Sequence, residues 1–495
     1  DADSLGSIMK FNLSDSTRLL VKQTVEYWER ETAVPEIIQE QMPAFRLILA
    51  LTETYSALVM NPPYMGSGNM NSVLSKYVKD NYEEGKADLF ATFMLLSIDR
   101  LVEKGKYGMI NMQSWMFLSS FEKLRKTTLD DTHIDNMLHL GARTFDELSG
   151  EVVQNTAYVI SKETPTTGGT YFRLVDGKDC ADKERMFMDA QKSHNGFEKI
   201  SIEKNNFPYS ENSVSEQSEN QIRFDNISQK SLKEIPGWPI AYWVSEKIRE
   251  TFTRNRALSA VANPWVGLQT ADNARFLRSW FEVDLSRIAF GCENAVLAAQ
   301  TQKKWFPCNK GGGQRKWYGN QNDIINWEKD GFEIKNFKGA VIRNEHCYFK
   351  PTIAWNMISS GFLTFRYFPK GFILNNASNG IPCDDLMGML GYLSSKYISL
   401  IADIVNPTVN LSNGVVGTFP YMVIDKQEYR DIVATNISIS KQDWDAHETS
   451  WDFMQNELVA INDSTYVDII NEIYEGTGIM VDLAVPQSES LEWRV

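Results

Sequence analysis

Asn61-Pro62-Pro63-Tyr64 is the stretch of this chain whose residue types could do chemistry together. An exocyclic amine on a nucleobase is a poor nucleophile, because its lone pair is delocalised into the ring. Two acceptors set against its N–H groups draw the nitrogen toward tetrahedral geometry and free that pair. Asn61 can supply a side-chain carbonyl. Pro62 can supply a backbone carbonyl and has no N–H to interfere. The rigid Pro62-Pro63 pair would fix both acceptors in advance, the kind of preorganisation that lowers barriers. Tyr64 offers a flat ring on which an extruded base can stack. A sulfonium methyl donor would need neither a metal nor a covalent intermediate here. The plain alternative is a strand-ending turn, where Asn and Pro are common.

The flanking sequence predicts the elements that would position this loop. Ser56-Ala57-Leu58-Val59-Met60 is a short apolar run closed by two prolines, which reads as a buried parallel strand. Asn61 would then stand at the strand's carboxyl end, where open α/β sheets bind ligands. Asp88 is a natural N-cap for a helix whose apolar face runs from Leu89 to Val102, with Gly105 as its expected stop. Tyr107 to Met112 reads as a strand, Ser119 to Leu129 as a helix, and Ile134 to Leu140 and Val152 to Ser161 as two further strands. This order fits the C-terminal half of a doubly wound sheet closed by an antiparallel hairpin. Asp88 is better suited to capping than to acting as a base, and His133 and His139 read as structural.

The 495 residues allow roughly three domains. Residues 1–162 are expected to form the α/β Rossmann-like half-domain. Residues 163–255 are polar and then aromatic, and read as a connector, loop-rich then helical. Residues 256–425, rich in Gly, Asn and aromatics, predict an α+β domain. Residues 426–495 predict a helical segment, with Asp443 to Ile473 as its clearest stretch.

The net charge of −14 argues against wholesale phosphate binding, yet residues 301–350 hold ten Lys or Arg against five Asp or Glu. The five Cys and five His show no paired spacing, so neither a disulfide framework nor a metal site is expected. No apolar run spans a membrane and no signal peptide is visible, so a reducing cytoplasm is the expected compartment.

Four strings occur in one order: Asn61-Pro-Pro-Tyr64, Lys86-Ala-Asp-Leu-Phe90, Lys106-Tyr-Gly-Met-Ile110 and Leu140-Gly-Ala-Arg-Thr-Phe145. In that order they resemble the γ-class N6-adenine DNA methyltransferases. The longer Asn61-Pro-Pro-Tyr-Met-Gly-Ser-Gly-Asn-Met70 resembles the PglX methyltransferases of BREX phage-exclusion systems and their type IIG restriction-modification relatives. Gly267 to Asn273, Arg315-Lys-Trp-Tyr-Gly319, Asn406-Pro-Thr408, Asp443-Trp-Asp445 and Glu448 to Asp452 are similar to later strings of that family. The resemblance implies S-adenosyl-L-methionine as donor, a flipped adenine of double-stranded DNA as acceptor, and phage-defence proteins as partners. It makes residues 256–425 a target-recognition domain. It also implies an aromatic over the base's other face, for which Phe145 and Tyr158 are the candidates.

The resemblance has one gap. A Gly-rich donor-binding loop should precede the catalytic loop, and residues 1–60 contain no FxGxG or GxGxxG. With a first residue that is not Met, the chain is expected to be the carboxy-terminal part of a longer enzyme, binding donor poorly alone and inactive by itself.

Lys310-Gly-Gly-Gly-Gln-Arg-Lys316 could follow DNA phosphates through Lys310, Arg315 and Lys316, or could be a mobile solvated loop. Trp317 and Tyr318 beside it could contact DNA or anchor the loop. Arg275 and Arg278 could reach phosphate or form surface ion pairs. Asp323 with Glu333-Ile-Lys335 resembles a metal-dependent nuclease pattern only weakly. The expected function is therefore site-specific adenine-N6 methylation of DNA. The alternatives are a non-catalytic DNA-recognition module, or a methyltransferase for a protein glutamine or an RNA adenine. Those compact enzymes usually lack so large a second domain.

Overall fold

The computed structural model describes residues 2–145, 153–194, 221–358, 363–406, 411–424 and 426–455. The chain divides into two compact units, residues 1–253 and 254–495.

The first unit is built on a six-stranded mixed sheet. Its strands are β1 (Tyr55–Met60), β2 (Leu101–Met112), β3 (His133–Gly141), β4 (Asn155–Ser161), β5 (Gly169–Arg173) and β6 (Arg223–Ile227). Their order across the sheet is β1-β2-β4-β3-β5-β6. β1 runs parallel to β2, while β4 lies antiparallel between β2 and β3. The expected hairpin is present, inserted into the sheet rather than added at its edge.

Two helices, α1 (Asp15–Arg30) and α2 (Glu36–Thr52), precede β1 and pack on each other. The helix α3 (Ser72–Asn81) follows the Asn61 loop, and α4 (Leu89–Arg100) follows with Asp88 as its N-cap, as its sequence predicts. Its end differs from expectation. Gly105 does not stop it, because Leu101 already starts β2, and Lys104 with φ of 63° bends that strand ahead of Gly105. α5 (Glu122–Asp131) completes the layer. Phe90, Met94, Phe121 and Leu124 from the helices meet Tyr107, Met109, Tyr158 and Ile160 from the strands in one buried core. Alternate residues of β2 and β4 point into it, as the two-residue period of a strand requires.

The sheet does not end at residue 162, so the expected connector needs correcting. β5 and β6 lie within residues 163–255 and extend the sheet beyond β3. Their polar sequences hid them, since Gly168 and Gly169 look like a loop. Instead they allow close approach: a Cβ on Gly169 would stand 2.2 Å from the Ile134 carbonyl oxygen. The helix α6 (Cys180–His194) packs Met186 and Phe187 against Phe172, Leu138 and Leu140 on the opposite face. Residues 195–220, also read as connector, lie outside the described residues.

The second unit is α+β in the described residues. One sheet has the order β12-β8-β9-β7, from Leu277–Ser279 (β7), Trp305–Asn309 (β8), Asp323–Asn326 (β9) and Ile373–Leu374 (β12). A second has the order β11-β10-β13, from Thr352–Asn356 (β10), Phe365–Phe368 (β11) and Ser378–Ile381 (β13). The long C-terminal helix spans Gln427–Asp445, earlier than the expected Asp443 to Ile473. Residues 456–473 of that stretch, and Pro407 and Thr408, lie outside the described residues.

Candidate active site

β1 carries Asn61 to the carboxyl edge of the sheet, where its side chain is exposed. Pro62 is buried and pins the loop, while Pro63 and Tyr64 face outward. Two further contacts hold the far end of the loop. The Asp88 carboxylate accepts from Met65 N at 3.0 Å and from Phe90 N at 3.2 Å. Leu89 N returns a bond to the Met65 carbonyl at 3.0 Å. Asp88 is thus both helix cap and loop anchor. Burial pushes its carboxyl above the ordinary aspartate value, and the backbone N–H bonds oppose that shift.

Tyr64 joins the loop to the sheet. Its hydroxyl donates to Asn61 Oδ1 at 3.4 Å and accepts from Asn155 Nδ2 at 3.1 Å. Asn155 opens β4 and also donates to the Asn111 carbonyl at 3.3 Å. Asn111 Nδ2 donates to the Tyr158 hydroxyl at 2.8 Å. A buried polar network therefore underlies the loop, and Oδ1 of both Asn111 and Asn155 takes no bond. Burial raises the Tyr64 hydroxyl above its ordinary value, so it stays protonated and able to donate.

Beside this network, His139 bonds Gln113 Oε1 at 2.9 Å and the Tyr242 hydroxyl at 3.3 Å. Burial, with Arg173 and Lys183 nearby, pushes its imidazole down to about 3. It is a neutral structural residue, as expected from sequence.

Tyr158 is corrected by the structure. Its ring is buried between Tyr107 and Trp115 and cannot cover a base. Phe145 is exposed at the end of the segment that follows β3. Asn111 and Asn155 were not singled out from sequence. A lone Asn inside a strand gives no signal until its partner is known, and Tyr64 lies 91 residues from Asn155.

The basic candidates of the second unit separate in the same way. Arg275 pairs with Glu333 at 2.8 Å and lies over Phe337. Arg278 bonds the Ala274 and Leu277 carbonyls. Arg315 pairs with Asp443 at 2.9 Å, and Lys310 with Asp323 at 3.5 Å. Lys316 is exposed. Asp323, Glu333 and Lys335 are spent on these and on Asp330 and Glu345, and no group of metal-ligating residues occurs among the described residues.

Comparison shows what the chain is similar to. Residues 9–145 match the model of the Eco57I restriction-modification methylase family. The chain is 35% identical to the adenine-specific methyltransferase BrxX of Escherichia coli O9:H4 (strain HS), over 96% of this chain and 37% of that protein. It is 34% identical to the adenine-specific methyltransferase PglX of Lacticaseibacillus casei (strain Zhang), over 92% of this chain and 37% of that protein. The chain therefore spans about two-fifths of the length of these curated relatives. Among solved structures, the type IIL restriction-modification enzyme MmeI in complex with DNA aligns over 80% of this chain and 50% of that one, with 11% identity and a TM-score of 0.46.

Such enzymes imply S-adenosyl-L-methionine. The described residues do not fit this donor. β1 is the outermost strand of the described sheet, with Ala57 and Val59 exposed, and residues 7–65 hold no glycine to cradle a methionine or ribose. Among the described residues no helix is long and apolar enough to cross a membrane.

Proposed function

We propose that this chain supplies the acceptor side of the active site of a site-specific DNA adenine-N6 methyltransferase in a BREX or type IIG-like phage-defence system. The observation that carries the reading is the orientation of Asn61. Its Oδ1 is held by the Tyr64 hydroxyl, itself held by Asn155, at the exposed carboxyl end of β1.

A flipped adenine would present its N6 to two acceptors, Asn61 Oδ1 and the Pro62 carbonyl. Both draw on the amine hydrogens and return the lone pair to nitrogen. The oxygen of Asn61 has a second lone pair, so accepting from Tyr64 leaves it free to accept from the base. Tyr64 would stack one face of the ring, and Phe145 is the aromatic proposed for the other. The family's donor, S-adenosyl-L-methionine, would supply the methyl group. Residues 256–425 are proposed to recognise the target sequence, with other phage-defence proteins as partners.

Sequencing for N6-methyladenine in cells carrying the whole gene tests this. Methylation at one sequence motif, lost with Asn61→Ala, is expected. No methylated adenine in the wild type would overturn it. Defence that survives Asn61→Ala would favour a DNA-recognition module instead.

A further inference from the structure

Gln113 and Gln154 pair just past the ends of β2 and β4. Gln113 N donates to the Gln154 carbonyl at 2.8 Å, continuing the ladder in which Met112 faces Asn155. β2 runs parallel to β1, so this pair stands at the carboxyl edge from which Asn61 emerges. Gln154 is exposed there, and its neighbour Asn155 reaches the Tyr64 hydroxyl. Strand alternation puts Gln154 on the face of Thr156 and Tyr158, the face on which Tyr64 meets Phe90 edge-on with 6.2 Å between ring centres.

A chain of buried hydrogen bonds decides which end of the Gln154 amide is left over. It starts at Tyr242, which is 2% exposed and whose hydroxyl has one partner among the described residues, His139 Nδ1 at 3.3 Å. A buried hydroxyl proton without an acceptor is costly, so Tyr242 donates and Nδ1 accepts. His139 is neutral, so its single ring proton lies on Nε2 and is donated to Gln113 Oε1 at 2.9 Å. With its oxygen taken, Gln113 donates through Nε2 to Gln154 Oε1. The Gln154 oxygen is thereby held by the buried Gln113. Its Nε2 donates to no described residue and is the end free to meet a ligand.

We infer that Gln154 is a specificity-determining residue whose Nε2 donates to N1 of the flipped adenine, the ring nitrogen beside the reacting amine. This deepens the proposed function and rests on its choice of acceptor. In duplex DNA N1 accepts from thymine, and flipping removes that donor. Burying N1 unpaired is costly, so the site must return a donor to it. Asn61 and Pro62 meet the amine, and Gln154 meets the acceptor next to it. Guanine and thymine carry an oxygen in place of the amine and an N–H in place of N1, so there donor meets donor and the base is rejected. Gln113 holds Gln154 at both its backbone and its side chain, so the donor needs no reorganisation. The bond orients the base and leaves activation of the amine to the Asn61 loop, because donating to N1 draws electron density out of the ring.

The test is single-turnover methylation by the whole gene product of two duplexes, one with adenine at the target and one with 1-deazaadenine, in which C–H replaces N1. The wild type should be about tenfold slower on 1-deazaadenine, although that base pairs more weakly with thymine and flips more readily. Gln154→Leu changes an exposed side chain and should keep the unfolding midpoint. It should be about tenfold slower on adenine and treat the two duplexes alike. Tyr242→Phe keeps the ring but removes the proton that sets the direction of the chain, so the ratio between the duplexes should shrink. A loss of folded protein alone would slow both duplexes equally and leave that ratio intact. Equal rates in the wild type, or the wild-type ratio in Gln154→Leu, would overturn the contact. An unchanged ratio in Tyr242→Phe would overturn the hydrogen-bond chain as its cause. A wild type that methylates both duplexes equally sinks the Gln154 assignment and leaves the catalytic reading standing. One that methylates neither sinks the catalytic reading, and the assignment with it.

Discussion

Asn155 Nδ2 donates to the Tyr64 hydroxyl at 3.1 Å, and this one bond ties the first residue of β4 to the Asn61–Tyr64 loop. Because the same hydroxyl reaches Asn61, Asn155 acts on Asn61 only through Tyr64. Asn155→Ala and Tyr64→Phe should each slow single-turnover methylation by the whole gene product about tenfold, near 1.4 kcal/mol. Combined, they should cost no more than the worse single change, since both break one relay. Additive losses would show that the two residues work separately.

Asp88 allows its two roles to be separated. Asparagine keeps an oxygen for Met65 N and Phe90 N and remains a good N-cap, so Asp88→Asn should keep methylation within about threefold. Asp88→Ala should lose about 1 kcal/mol or more of stability, because a cap and a loop anchor go together. The raised carboxyl gives a sign as well. The folded state holds that proton more tightly than the unfolded chain, so the contribution to stability falls as pH rises through the interval above about 3.9. Denaturant titrations of wild type and Asp88→Asn should show this slope in the wild type only.

His139 predicts the opposite slope. Its folded value of about 3 lies below that of the unfolded chain, about 6.5. The unfolded state therefore takes up the proton first. Stability is full above pH 6.5 and is lost as pH falls toward 3, at up to about 1.4 kcal/mol per pH unit. Proton uptake on unfolding at pH 5, measured by pH-dependent urea titration, should fall by about one in His139→Gln.

Gly169 tests the extended sheet. Its Cβ would strike the backbone of Ile134, which cannot swing aside as a side chain does. Gly169→Ala should cost about 1–3 kcal/mol in urea unfolding. A neutral effect would place β5 elsewhere.

What could be read from sequence was local. Strand β1, the Asp88 cap and the antiparallel β3–β4 pairing follow from apolar runs, proline stops and capping chemistry over a few residues, but β1 is an exposed edge strand and not the buried one its apolar run suggests. What escaped was set by distant partners. Gly168-Gly169 looks like a linker until Ile134 is seen against it. Arg125 looks like a solvent-facing helical charge, yet it is buried, donating to the carbonyls of Trp115, Leu118 and Gly237. Tyr158 has the right type for a base cover, but strand alternation turns it into the core. Around Asn61 the loop itself was legible, and the residues that hold it, Asn155 and Asn111, were not.

The outer position of β1 has a further consequence. Val59 is 88% exposed, and on its outer side the strand is hydrogen-bonded to no other strand among the described residues. A bare strand edge with an apolar side chain is a template for pairing with a second chain. Preparations of this chain should therefore associate with rising concentration, seen as a growing sedimentation coefficient. Lysine at position 59 should keep them monodisperse, because a charge there must be desolvated before two edges can meet.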